Sequence, residues 1–121
     1  MISFVVSIWT IELEPEVTRW LDSLAPGMFA VVAARIERLS DLGATLRMPH
    51  SRSLGEGLFE LRFALGRNAQ RITFFFPGDQ RIVLLTTFHK QRSNERLEVE
   101  RARQAMRLCI QEGHTAEGEE A

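Results

Sequence analysis

The sequence predicts an α+β fold: an N-terminal strand and a helical hairpin packed on an antiparallel β-sheet, closed by a C-terminal helix. Three observations carry that expectation. Two stretches before residue 43 place apolar side chains at helical spacing, three stretches between residues 58 and 89 read as strands, and one more helical stripe follows them. With 121 residues the chain has room for a single core, which on folding hides about two-thirds of the surface that the unfolded form exposes. Residues 1–112 are expected to form that domain, and the short acidic stretch 113–121 a disordered tail.

Residues 3–11, Ser-Phe-Val-Val-Ser-Ile-Trp-Thr-Ile, are rich in β-branched and aromatic types and are expected as a strand. A helix then opens at Pro15, whose fixed φ suits the first helical position. Glu16 complements the positive helix end, and Val17, Trp20, Leu21 and Leu24 share a face. Pro26-Gly27 is expected to end it. A second helix is expected from Met28 to Leu42, with Phe29, Val32, Ile36 and Leu39 on one face and Gly43 as its stop. Residues 44–57, punctuated by Pro and Gly and without a period, are expected as a loop.

In Leu58 to Leu65, Phe59, Leu61, Phe63 and Leu65 share one face while Glu60 and Arg62 share the other. Arg71 to Phe76 repeats the arrangement, with Ile72, Phe74 and Phe76 opposite Arg71 and Thr73. The turn cluster Pro77-Gly78-Asp79-Gln80 should pair this strand with the next, Arg81 to His89. That strand is apolar on both sides and is therefore expected inside the sheet. Ser93 or Asn94 is expected to cap a last helix striped by Val99, Ala102, Met106 and Cys109, before Gly113.

Composition narrows the function classes. The chain is 45% hydrophobic and 26% charged, an ordinary globular mixture. Its single Cys109 cannot form an internal disulfide, and Cys109, His50, His89 and His114 lack zinc-site spacing, so neither a metal nor another cofactor is expected. Residues 1–11 are apolar but lack a basic flank, and Glu12, Glu14 and Glu16 follow at once. Export and membrane insertion are therefore disfavoured, and a cytoplasmic location is expected. The net charge of −1 conceals a segregation: residues 1–46 sum to −3, residues 47–107 to +6 and residues 108–121 to −4. A basic middle in a near-neutral protein is the electrostatic footprint of a nucleic-acid or acidic-protein partner. All bases but Lys90 are arginine, the side chain that binds phosphate with two parallel hydrogen bonds.

Metal-free RNA cleavage needs a base for the 2′-hydroxyl, charge to balance the phosphate and an acid for the departing 5′-oxygen. Arg62 and Arg71, on the polar sheet face, are candidates for the charge, and His89 for the acid or base. Lys90, Gln91 and Arg92 leave the last strand beside His89, and together with Arg52 they are candidate RNA contacts. The competing accounts are plainer: His89 as a polar strand end, and Arg62 and Arg71 as cross-strand partners of Glu60 on a solvated face. His50 reads as a surface loop residue and Cys109 as core. Of the three phenylalanines 74–76 only Phe75, on the arginine side, is in a position to stack on a base.

These segments in order resemble a phage Gp49-like, HigB-type toxin of the RelE/ParE superfamily. The resemblance rests on Leu54-Gly55-Glu56-Gly57-Leu58-Phe59-Glu60-Leu61-Arg62, Gln70-Arg71-Ile72-Thr73-Phe74-Phe75-Phe76, Ile82-Val83-Leu84-Leu85-Thr86-Thr87-Phe88-His89-Lys90 and Glu98-Val99-Glu100-Arg101-Ala102. It spans about residues 2–112. It implies the toxin of a type II toxin–antitoxin pair, a ribosome-dependent mRNA endonuclease neutralised by a helix-turn-helix antitoxin. It also implies that Arg71 contacts phosphate. The alternatives on the same scaffold are a ParE-like gyrase inhibitor and a non-catalytic RNA-binding member. Glu60 stands where some relatives place a catalytic lysine, and Ser93-Asn94-Glu95 replaces a Thr-Pro. The absence of tyrosine excludes a tyrosine-based mechanism.

Overall fold

The computed structural model describes residues 8–91 and 93–113, and among these it forms five strands, three α-helices and one 3-10 turn, Gly43–Thr45. Strand β1 (Thr10–Leu13) leads into helices α1 (Pro15–Asp22) and α2 (Pro26–Leu42). Strands β2 (Ser51–Gly55), β3 (Leu58–Leu65), β4 (Asn68–Gly78) and β5 (Arg81–His89) follow, and then helix α3 (Glu95–Glu112). The sheet runs β1-β5-β4-β3-β2, with β1 parallel to β5 and the other pairs antiparallel. This is the α+β architecture expected, with one strand more than expected and a mixed rather than wholly antiparallel sheet.

Several boundaries differ from the sequence reading for identifiable reasons. The first strand lies later than expected: residues 3–7 fall outside the described residues, Ile8 and Trp9 form a bend, and Glu12 and Leu13 join the ladder opposite Val83 and Leu84. Trp9 instead packs its indole over Gly43, which has no Cβ to obstruct it, and meets the Phe76 ring edge-on at 5.1 Å. Pro26-Gly27 does not end α1 but opens α2, because a proline at the first helical position sacrifices no intrahelical hydrogen bond. Gly43, at φ +51, stops α2 as expected. The stretch 44–57 is not a loop throughout. It holds β2, an edge strand built from Ser-Arg-Ser-Leu-Gly without apolar alternation and fixed by pairing with β3. Arg103 of α3 donates to the carbonyls of Leu54 and Gly55 and so fastens that strand from the other side. The expected tail beyond Gly113 lies outside the described residues.

Helices cover the sheet on both faces, unequally. Val17, Leu21, Val32 and Leu39 of the hairpin pack on Leu61, Phe63, Ile72, Phe74, Ile82 and Leu84. On the opposite face α3 brings buried Ala102, Met106 and Cys109, flanked by half-buried Val99 and Ala105, down onto Leu58, Phe75, Val83 and Leu85. Cys109 is core, as expected. Phe75 is not available to a base, being 5% exposed beneath α3. The rest of that second face carries Glu60, Arg62 and Ala64 on β3 and Ala69, Arg71 and Thr73 on β4, by strand alternation from Leu58 and Phe75. No described helix is long and apolar enough to cross a membrane.

Candidate nucleic-acid interface

Strand register builds the arginine cluster. Arg62 and Arg71 stand directly across from each other on the β3–β4 ladder, where two like charges would repel. Glu60, two residues back on β3, supplies the counter-charge: its Oε2 lies 3.7 Å from Nε of Arg62 and 3.7 Å from Nε of Arg71. Arg52 on β2 pairs across the ladder with Glu60 and so falls on the same face. Lys90 follows β5, its amide donating to the Ala69 carbonyl. Glu95, in the first turn of α3, lies 3.9 Å from Arg52 and 3.8 Å from Lys90. Four cations from four chain segments therefore surround two carboxylates.

The floor of the cluster is dry and its rim is wet. Glu60 is 0% exposed and Arg71 6%, while Arg52 and Lys90 reach solvent. Loss of hydration raises the pKa of Glu60 above the usual carboxylate range, although Arg71, Arg62 and Arg52 pull it down; Glu95 adds to the rise. The same burial lowers the pKa of Arg71, opposed by Glu60. Neither Glu60 oxygen, nor Nε of Arg62 or Arg71, has a hydrogen-bond partner among the described residues. Ala64 and Ala69 are exposed and small, and with Pro49, Arg62 and Arg71 they line a shallow open depression above this floor. The arrangement can bind an anion and neutralise charge that develops on it.

The cross-strand pairing of Arg62 and Arg71 with Glu60 is present, but it is buried rather than solvated. His89 is not with the arginines. A β-bulge at Leu85 lets Thr73 pair with Thr86 and Phe74 with Leu84, so alternation reverses along the end of β5. Phe88 thereby stands opposite Arg71, and His89 opposite Gln70 on the hairpin side. There it lines a second depression with Trp20, Gln70, Thr87, Gln91 and Asn94, and the Gln91 amide donates to its Nε2 at 3.3 Å. Asn94 begins α3 without capping it; its Oδ1 accepts the Gln91 amide at 2.8 Å and its amide reaches the His89 carbonyl. Arg92 lies outside the described residues.

Two residues were under-read in the sequence. His50 accepts the Arg62 amide hydrogen bond at 2.8 Å, which continues the β2–β3 pairing and sets His50 beside Arg62. Its neighbour Met48 receives Nη1 of Arg62 on its sulfur at 3.5 Å. Glu95 was visible only as a departure from a family pattern. The missing signal in both cases was β2, without which residues 48–53 have no register.

A sequence model of one protein family, described as phage derived protein Gp49-like (DUF891), matches residues 19–108. The match reaches from α1 into α3 and includes every member of the arginine cluster. No curated protein matches the chain.

Proposed function

The chain belongs to the Gp49-like family of phage-derived proteins, a RelE/HigB-like toxin family whose members act within toxin–antitoxin pairs, and from that premise we propose a metal-independent, ribosome-dependent mRNA endonuclease of HigB type. The observation that carries this reading is the arginine cluster: a dry Glu60 beneath Arg62 and Arg71, rimmed by Arg52 and Lys90, on a sheet face that α3 leaves open. A toxin family implies an antitoxin in general; here it is proposed to be a helix-turn-helix protein covering this face. Residues 1–112 are proposed as the working domain, acting in the cytoplasm on mRNA at the ribosome.

In the proposed reaction a base takes the proton of the 2′-hydroxyl and the 2′-oxygen bonds to phosphorus. The bond to the 5′-oxygen breaks, and that oxygen takes up a proton. A 2′,3′-cyclic phosphate and a free 5′-hydroxyl remain. Arg71 and Arg62 balance the extra charge on phosphorus, and Lys90 and Arg52 hold flanking phosphates. Of the two imidazoles among the described residues, His50 lies beside Arg62 in register, whereas His89 lines the hairpin-side depression with Gln91.

Induced expression should arrest growth and give codon-phased mRNA cuts, with Arg71→Ala relieving both. Toeprinting on translating ribosomes reads the cuts. Growth arrest with intact mRNA, together with inhibition of gyrase supercoiling by the purified protein, would replace this reading with the gyrase one.

A further inference from the structure

The arginine cluster contains an arrangement that phosphate binding alone does not require. A carboxylate with no solvent exposure sits between two guanidinium groups whose own task, in the reading above, is to meet a negatively charged ligand. Its contact with each is through Nε, the nitrogen nearest the stem. Nη1 of Arg71 donates to the Gln70 carbonyl at 3.1 Å and Nη1 of Arg62 to the Met48 sulfur. Each guanidinium thus donates one hydrogen bond through Nη1 and meets the Glu60 carboxylate at Nε as an ion pair without a hydrogen bond. Among the described residues neither Nη2 has a hydrogen-bond partner, and the depression that the two arginines line with Ala64 and Ala69 is open.

We propose that Glu60 is a positioning residue, which holds Arg62 and Arg71 by their Nε atoms so that their Nη2 atoms form a clamp for one RNA phosphate. This rests on the RNA-cleaving reading. Glu60 itself does not touch the RNA; it lies beneath the arginines. Its charge has two opposed effects. It orients the clamp, which favours the reaction, and it cancels part of the positive field, which weakens RNA attraction.

Those effects separate when the charge is removed. The groups facing Glu60 are Arg52 from β2, Arg62 on its own strand, Arg71 and Thr73 from β4 and Glu95 from α3. Acidification that protonates Glu60 therefore tightens RNA binding while slowing cleavage. A residue that merely supports the fold would move both in the same direction.

The test compares wild type with Glu60→Gln, which keeps size and loses charge. Binding is measured with an RNA oligonucleotide carrying 2′-deoxyribose at the cut, and cleavage on programmed ribosomes. Glu60→Gln should bind the oligonucleotide about two- to tenfold more tightly at low salt and cleave about ten- to a hundredfold more slowly, as expected for a displaced catalytic group. Its rate should also lose the acid-side change seen in wild type. Arg71→Lys, which keeps the charge and has no Nε, should retain binding and lose cleavage. Cleavage by Glu60→Gln within twofold of wild type, or parallel loss of affinity and rate, would overturn the proposal.

A separate measurement removes the dependence on RNA. The Nε–H nuclear magnetic resonance signals of Arg62 and Arg71 should shift together in Glu60→Gln, and inorganic phosphate should perturb both in wild type. If wild type neither binds nor cleaves RNA, the function reading fails while these signals still decide the tether. Signals unchanged by the substitution would sink the tether itself.

Discussion

Ionised Glu60 works against the fold that contains it. Desolvation is the largest influence on its pKa and raises it from 4.5, with Arg71, Arg62 and Arg52 recovering only part. The native state therefore binds this proton more readily than the unfolded chain does. Stability from this group is highest at acidic pH and falls as pH rises from about the unfolded value through the raised folded one. Glu60→Gln mimics the protonated form at every pH. It should be more stable than wild type at pH 7 in urea denaturation, and the gap should close on acidification toward pH 4.5. A variant less stable than wild type at pH 7 would contradict this sign. A residue that weakens the fold while ordering two arginines is what a functional site looks like in stability terms. The sequence showed Glu60 on a polar strand face. That the neighbouring arginines remove it from water depends on the strand register that sets Arg52, Arg62 and Arg71 around it.

At the scale of elements, the weak point is the far half of β5. β1 pairs only with Arg81 to Leu84, so beyond that the strand has an open edge. α1 and α3 close it with side chains. Glu16 accepts the Thr87 amide at 3.0 Å, and Arg101 forks onto the same carboxylate while its Nη2 approaches the Thr87 carbonyl. Both side chains are about a third or more exposed, which limits the ion pair to roughly 1 kcal/mol or less. The lost amide bond adds a similar amount. Glu16→Ala should therefore cost about 1–2 kcal/mol in urea denaturation. Hydrogen exchange of the Thr87 amide should speed up well beyond that of Thr86, whose amide reaches Oγ1 of buried Thr73; unchanged exchange at Thr87 would disprove the clasp.

The same scale explains which elements were legible. β3 alternates and α3 is striped in residue type, so their bounds were legible from pattern alone. β2 buries little of its own and exists through its partner β3. The bulge at Leu85 left no mark either, because Leu84, Leu85 and Thr86 are all buried and their composition does not say which faces which helix layer. From Val83 simple alternation sends His89 to the arginine side; one unpaired residue sends it to the other. That single slip separates a histidine from the site to which sequence order assigns it.

The whole molecule sorts its charge by face. Of the basic middle, Arg52, Arg62, Arg71 and Lys90 come together only because three antiparallel ladders bring β2, β3, β4 and the end of β5 side by side. The count of bases was legible in the sequence, whereas their convergence required the register. Exposed Arg38 lies on α2, across the sheet from this cluster. If RNA lies on the open face, its affinity should depend on salt through those four residues and not through the total basic charge. Four phosphate contacts to a single strand give a slope of log affinity against log salt near −3, and each cation replaced by alanine should reduce it by about 0.7. Arg38→Ala should leave the slope unchanged. Oligonucleotide binding between about 50 and 200 mM salt measures this directly. An equal drop for Arg38→Ala and Arg52→Ala would mean that RNA meets the protein as a diffuse positive field, and the open face would lose its claim to be the site.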